Sequence, residues 1–135
     1  MSKKVFLGGT CNGSLWRDKL IPKLIIGYFN PVVEDWTPEC QVEEVFQREN
    51  CDFCLYVITP KMTGVYSIAE VVDDSNKRPE KTVFCYLDTD DGGESFEKHQ
   101  TKALVQVGKM IEGNGAIWCK DLDDVANFLN GVSNE

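Results

Sequence analysis

Short apolar runs alternate along this chain with stretches whose apolar residues recur at helical spacing. Five of these runs predict strands, at 4–9, 28–31, 52–59, 81–87 and 116–119. Helical patterns follow at 14–26, from 37 to about 50, from about 64 to 76, from roughly 96 to 112 and at 121–129. This alternation predicts a single three-layer, doubly wound α/β domain over residues 1–135, with a five-stranded parallel sheet. We expect flavodoxin-like strand order, with ligands bound beyond the carboxyl ends of the strands.

Local signals support two of the helices. Thr37-Pro38-Glu39 combines a capping threonine, a proline suited to the first helical position and an acidic first turn. Ser14 is the expected N-cap of the first helix. Pro22 lies inside that helix and is expected to kink or shorten it, because proline lacks the N–H that a helix interior uses.

Composition limits the classes of function. The 135 residues include 14 Lys and Arg against 22 Asp and Glu, a formal charge of −8, which argues against binding to a nucleic-acid polymer. No apolar run approaches the roughly 18 residues of a membrane span, and the apolar start is too short for a signal peptide. Six cysteines at scattered spacing predict reduced thiols. We therefore expect a soluble, cytoplasmic protein that does not bind membranes.

A glycine-rich segment, Gly8-Gly9-Thr10-Cys11-Asn12-Gly13-Ser14, joins the first strand to the first helix. It has the two spaced glycines of a phosphate-binding P-loop, but Ser14 stands where the loop needs its lysine, so NTP hydrolysis is not favoured. Two interpretations remain open. The segment is either a tight turn that needs glycine for its backbone, or a loop that lines a ligand site.

Neither a metal nor a cofactor is indicated. The acidic loop at 88–94 fails as a calcium loop, because its fifth position is Gly92 and its twelfth is His99. His99 is the only histidine and is expected on a helix surface, so a histidine-based metal site or catalytic triad lacks its parts. The chemistry is left to carboxylates.

Glu70 is the unusual carboxylate. Ile68, Ala69, Val71 and Val72 flank it near the start of the helix that follows the third strand. This setting favours either a nucleophile or general base, or a glutamate held by a helix end or a salt bridge. Glu43 and Glu44, on the preceding helix, can reach the same cleft or lie on an ordinary exposed helix face.

Four segments together resemble the nucleoside 2-deoxyribosyltransferase family, in its compact bacterial and phage branch. They are Lys4 to Thr10, Tyr28-Phe29-Asn30-Pro31, Asp52 to Ile58 and Gly64 to Glu70, so that the resemblance covers roughly residues 3–90. It implies that Glu70 attacks the anomeric carbon of a 2-deoxyribosyl group and forms a covalent ester. It also implies that Glu44, eight residues before Asp52, is the acid/base, with Glu43 as the fallback. The family usually carries aspartate at the position of Glu44.

The resemblance also suggests which residues line the cleft. Gly9, Thr10 and Asn12 are expected on the first loop, while Asn30, Asp35 and Trp36 close the cleft after the second strand, with Trp36 either stacking on a base or serving as a structural plug. Phe6 stands where the family often has tyrosine. Gly64 stands where the family commonly has aspartate or serine, which leaves Thr63 or Ser67 as substitutes.

The implied activity is transfer of 2-deoxyribose between nucleobases, without a cofactor, and its small-molecule partners are a nucleoside or nucleotide and a free base. The resemblance further implies homo-oligomers, which are common in the family. One alternative is an N-glycoside hydrolase, in which Arg17 and Lys61 are the nearest cations for an anionic substrate. Another is a non-catalytic nucleotide-binding module on the same fold.

Overall fold

A five-stranded, all-parallel sheet forms the centre of the protein. The computed structural model describes residues 3–33, 35–89 and 93–131. The strands are β1 (Lys4–Gly9), β2 (Gly27–Phe29), β3 (Phe53–Ile58), β4 (Thr82–Tyr86) and β5 (Ile117–Trp118), and their order in the sheet is β2-β1-β3-β4-β5. This order is flavodoxin-like, so the predicted three-layer, doubly wound architecture is confirmed.

Five α-helices connect and cover the strands. They are α1 (Trp16–Leu20), α2 (Pro38–Asn50), α3 (Tyr66–Lys77), α4 (Lys98–Gly113) and α5 (Leu122–Asn130). Side chains of α1 and α5 pack on one face of the sheet, whereas those of α3 and α4 pack on the other. Within the described ranges, no helix is both long and apolar enough to cross a membrane.

The first helix is shorter than predicted. α1 ends at Leu20, and a 3₁₀ turn over Ile21–Lys23 replaces the rest of the expected helix, because Pro22 cannot supply an interior helical N–H. Ser14 is not its N-cap: Leu15 occupies that position, and no side chain caps the helix. The Ser14 N–H instead donates to the carbonyl of Cys11 and closes the glycine-rich turn.

Most other boundaries differ from the prediction by a residue or two. Thr37 caps α2 as expected, and its hydroxyl accepts from the N–H of Cys40. α3 begins at Tyr66 rather than at Gly64, and α4 begins at Lys98 after a reciprocal capping box between Glu97 and Gln100. The acidic loop predicted at 88–94 lies partly outside the described residues.

The sheet brings three loops to one edge. β1 lies between β2 and β3, and Gly9 at its carboxyl end is paired with Val57 of β3. Chain connections run in opposite directions from β1, and such a switch point leaves a crevice beyond the strand ends. The loops that follow β1, β2 and β3 meet there, together with α2 and α3.

Candidate active site

A pocket of about 330 Å³ lies at the carboxyl end of β1. Two carboxylates line it, Glu44 from α2 and Glu70 from α3. Two glycines at the end of β1, Gly8 and Gly9, also line it. Its lining also includes Trp36 from the segment before α2, and Tyr66 and Ser67 from the first turn of α3. Two carboxylates from different helices therefore face one cavity at the ligand-binding edge of the sheet.

Glu70 is the more enclosed of the two carboxylates, with 13% of its side chain exposed. Burial raises the pKa of Glu70 to about 7, against the opposing effect of Arg48, and the negative charges of Glu44 and Asp74 raise it further. A carboxyl group that titrates near neutrality beside a second carboxylate is typical of acid–base and nucleophilic sites.

Arg48 is the cation that faces Glu70. Its Nη1 lies 3.4 Å from Oε2 of Glu70, and its Nη2 lies 2.9 Å from Oδ1 of Asp74. Burial lowers the pKa of the Arg48 guanidinium, but the hydrogen bond to Asp74 and the surrounding negative charges outweigh burial and hold that pKa above its ordinary value. Arg48 therefore stays charged next to the pocket.

Asp74 is the anchor of this ion pair and has no exposed side-chain surface. The Tyr56 hydroxyl donates to its Oδ2 at 2.5 Å, and Arg78 lies 2.9 Å from its Oδ1. Burial and the charge of Asp74 raise the pKa of Tyr56, so the hydroxyl remains a donor. A buried carboxylate with this many partners is satisfied, and its position is fixed by β3 and α3.

Glu44 is half-buried on α2 and receives a hydrogen bond from Trp36. The indole N–H donates to Oε2 of Glu44 across 3.2 Å. Glu43 has a different environment, because it is exposed and accepts from Gln47 of its own helix at 2.6 Å. Of these two neighbours, Glu44 is the one that lines the pocket.

The glycine-rich loop is held tightly against β3. Gly9 has a φ of +120°, and a Cβ on it would lie 2.1 Å from the carbonyl oxygen of Val57, so only glycine fits. Thr10 is buried, and its hydroxyl accepts from the N–H of Thr59. Asn12 donates to the carbonyl of Lys61 and to the Thr63 hydroxyl, which joins the loops after β1 and β3.

A second cavity of about 190 Å³ adjoins the first, and Gly9, Tyr66 and Ser67 line both. Its remaining lining includes several residues predicted to contact substrate: Thr10, Asn12, Thr63 and Gly64. Gly64 has open space where a side chain would project, since a Cβ there meets nothing within 4 Å. The two cavities therefore lie side by side at the strand ends.

A comparison with models of protein families shows to which family the chain belongs. The model described as nucleoside 2-deoxyribosyltransferase like matches residues 2–89, which is more than half of the chain. The chain belongs to this family. No single curated protein matches it.

The matched segment contains every residue that lines the two pockets. In this member of the deoxyribosyltransferase-like family, Phe6 lines the larger pocket and stacks on Phe29, with ring centroids 6.0 Å apart. It supplies no hydroxyl to Glu70. The family's usual tyrosine at this place therefore has no functional equivalent in Phe6.

Some predicted site residues lie elsewhere. Asn30 accepts from the N–H of Val32 and shapes the turn after β2, and neither Asn30 nor Asp35 lines the two pockets.

Arg17 borders the larger pocket, but its guanidinium donates to the carbonyls of Leu7, Gly9 and Thr10. The expectation that Arg17 would bind an anion does not fit these contacts, because most of its donors brace the glycine loop.

Sequence reasoning missed three residues in or beside the pocket: Arg48, Tyr66 and Asp74. Arg48 follows Glu44 by four residues on α2, and Asp74 follows Glu70 by four residues on α3, so each pair lies on one helix face. That spacing was visible in the sequence, but it is also common on solvated helices.

Among the described residues, no group of acidic, cysteine or histidine side chains is arranged to hold a metal ion.

Proposed function

We propose that this protein transfers a 2-deoxyribosyl group between nucleobases through a covalent ester on Glu70. The observation that carries the proposal is the pocket that Glu70 and Glu44 share, in which Glu70 is enclosed and pairs with Arg48. Family membership supports the same class of chemistry. Two carboxylates with different environments suit a double-displacement reaction at a glycosidic carbon.

In the first step, one oxygen of ionised Glu70 attacks C1′ of the nucleoside. The C1′–N bond breaks, its electron pair leaves with the base, and the carboxyl group of Glu44 delivers a proton to that base. The product is a free base and a glycosyl ester of Glu70. The sugar lacks a 2′-hydroxyl, which eases the build-up of positive charge at C1′ in the transition state.

In the second step, a nitrogen of a different base attacks C1′ from the side that the first base left. The C1′–O bond to Glu70 breaks and its electron pair returns to the carboxylate, while Glu44 takes the proton from the incoming base. Both displacements invert C1′, so that the configuration is retained overall. Water in place of the second base would make the protein a hydrolase.

The cleft has suitable surfaces for both halves of a nucleoside. Trp36 and Tyr66 present exposed rings at its edge, 59% and 65% exposed, on which a base can stack. Hydroxyl and amide groups of Ser67, Thr63 and Asn12 lie in the adjoining cavity, where we place the sugar. Gly64 adds room there rather than a polar group.

The proposal treats residues 1–135 as one functional unit with small-molecule partners. A cytoplasmic location and a homo-oligomeric state belong to the same proposal. The location is consistent with the six cysteines, which are all free.

The test is chromatography of 2′-deoxynucleosides and their 5′-monophosphates, with and without a different free base. Wild type is compared with Glu70→Ala and with Glu80→Gln, a control at an exposed glutamate outside the pockets. Base exchange that needs the acceptor and is lost only in Glu70→Ala supports the transferase. Repeated base release without an acceptor, beyond one equivalent per protein chain, indicates a hydrolase. Ligand-induced thermal stabilisation without turnover in any variant indicates a binding module.

A further inference from the structure

We propose that Arg48 is the positioning residue for Glu70: anchored on buried Asp74, it pairs with one carboxylate oxygen of Glu70, favours the ionised form of that carboxylate and leaves the other oxygen to attack. This inference rests on the proposed function for its catalytic meaning. The contact itself, and its effect on the ionisation of Glu70, do not depend on which reaction the pocket performs.

The guanidinium is fixed on the side away from the pocket. Its Nη2 and Nε donate to the two oxygens of Asp74, at 2.9 and 3.4 Å, which sets the plane of the group. Nη1 of the same group lies 3.4 Å from Oε2 of Glu70. Only 11% of the Arg48 side chain is exposed, so water screens this contact weakly.

Asp74 does not fully neutralise the positive charge of Arg48. A second cation, Arg78, lies 2.9 Å from Oδ1 of Asp74, and the Tyr56 hydroxyl donates to Oδ2. Asp73 lies 3.8 Å from Arg48, but it is half-exposed and lies closer to Lys77, at 3.0 Å. The buried cluster therefore holds more positive charge than Asp74 alone neutralises, and Glu70 is the enclosed carboxylate next to it.

The charged groups around Glu70 act in opposite directions. On α2, Arg48 favours the ionised form of Glu70 and Glu44 opposes it, and Asp74 on α3 also opposes it. Among the described charged groups that act on Glu70, Arg48 therefore favours ionisation, whereas burial and the two acidic groups oppose it. Removing Arg48 leaves Glu70 with the unfavourable influences alone.

Arg78 provides a matched control. Arg48 and Arg78 both pair with Asp74 at 2.9 Å, but only Arg48 contacts Glu70. Arg48→Gln and Arg78→Gln therefore each remove one ion pair of Asp74, whereas only Arg48→Gln also removes the cation next to Glu70. Arg48→Lys retains the positive charge but lacks the planar guanidinium, whose several N–H groups can contact two carboxylates at once.

The experiment is a ¹³C NMR titration of the glutamate side-chain carboxyl groups in the four proteins, with the Glu70 signal assigned by its loss in Glu70→Gln. We expect the Glu70 midpoint to rise by about one unit or more in Arg48→Gln, to rise less in Arg48→Lys and to stay in place in Arg78→Gln. A one-unit rise lowers the ionised fraction about tenfold on the acid side. An unchanged midpoint in Arg48→Gln, or an equal rise in Arg78→Gln, would overturn the proposal.

A kinetic arm tests the catalytic meaning. The rate of base release is measured from pH 5.5 to 8.5 in the same proteins. The acidic limb of this profile is expected to move with the NMR midpoint in Arg48→Gln, to move less in Arg48→Lys and to stay in place in Arg78→Gln. If wild type releases no base, the proposed function fails while the titration still decides the Arg48–Glu70 coupling. If Arg48→Gln does not fold, the comparison of Arg48→Lys with Arg78→Gln decides it, and equal midpoints in those two proteins overturn the proposal.

Discussion

Trp36 donates its indole N–H to Oε2 of Glu44 across 3.2 Å, although more than half of the Trp36 surface is exposed. The contact joins the segment after β2 to the middle of α2. A hydrogen bond to one oxygen fixes the orientation of the carboxyl group and leaves the other oxygen for proton transfer. Trp36 therefore combines an exposed ring with a polar contact to the acid/base residue of the proposed reaction.

Replacing Trp36 with Phe is expected to lower kcat about twofold to tenfold with little change in KM. The change removes the hydrogen bond, worth roughly 0.5–1.5 kcal/mol, and keeps a ring for stacking. Steady-state kinetics of base exchange measures the effect. Trp36→Leu, which removes the ring as well, is expected to raise KM in addition. If Trp36→Phe matches wild type while Trp36→Leu does not, the indole serves stacking alone.

Base release is expected to increase as pH rises through about 7. Glu70 must be ionised to attack C1′, and burial holds the pKa of its carboxyl group near that value, so the ionised fraction grows across this range. The pH dependence of kcat/KM for the free enzyme provides the measurement. An acidic limb centred near the ordinary pKa of a glutamate would contradict the assignment of Glu70 as the nucleophile.

Glu70→Gln is expected to be more stable than wild type at pH 8, by about 1–3 kcal/mol in the free energy of unfolding. The pKa of Glu70 is about 7 in the folded protein, above its ordinary value, so the folded state holds the proton more tightly than the unfolded state does. Wild type therefore loses stability as pH rises from about 4.5 to 7, and the glutamine variant does not share this loss.

Urea denaturation at pH 4.5 and pH 8 measures the difference between Glu70→Gln and wild type. The gain from the substitution should be largest at pH 8 and small at pH 4.5. Glu80→Gln, at an exposed site, should show no such dependence. A glutamine variant that is less stable than wild type at pH 8 would mean that the contact with Arg48 outweighs the cost of burying the carboxylate.

Gly9→Ala is expected to lower the free energy of unfolding by more than about 3 kcal/mol or to prevent folding. Its Cβ would overlap the carbonyl of Val57, and its φ of +120° is unfavourable for alanine. Gly64→Ala is the matched control in the same cleft, since it meets open space and its φ lies outside the left-handed region. Thermal unfolding compares the two, and equal losses would contradict the close β1–β3 contact.

The fold was predictable because most of its helices and strands carry a signal in their own local sequence. The wholly apolar run of β3 and the Thr37-Pro38 start of α2 are signals that need no tertiary information. The early end of α1 was harder to place. Pro22 marked a disruption, but the capping role expected of Ser14 was lost to a turn hydrogen bond with Cys11, a contact that the glycine loop creates.

The site was only partly predictable, for a physical reason. Glu70 stood out by its apolar neighbours, and Glu43 and Glu44 were candidates by their place on the preceding helix, of which the family resemblance selected Glu44. Arg48 and Asp74 have the same spacing as charges on a solvated helix, and nothing in the sequence shows that Asp74 is fully buried against Tyr56. Burial of a charged pair depends on how α2 and α3 pack together, and a one-dimensional pattern does not contain that information.

The covalent ester on Glu70 is the central claim, and intact-protein mass spectrometry tests it most directly. The protein is mixed with a 2′-deoxynucleoside without an acceptor base, quenched in acid, and digested to locate any added mass. We predict one deoxyribosyl group on the peptide that contains Glu70, lost on addition of a second base and absent from Glu70→Gln. Base release with no adduct at any time, or an adduct on another residue, would contradict the account.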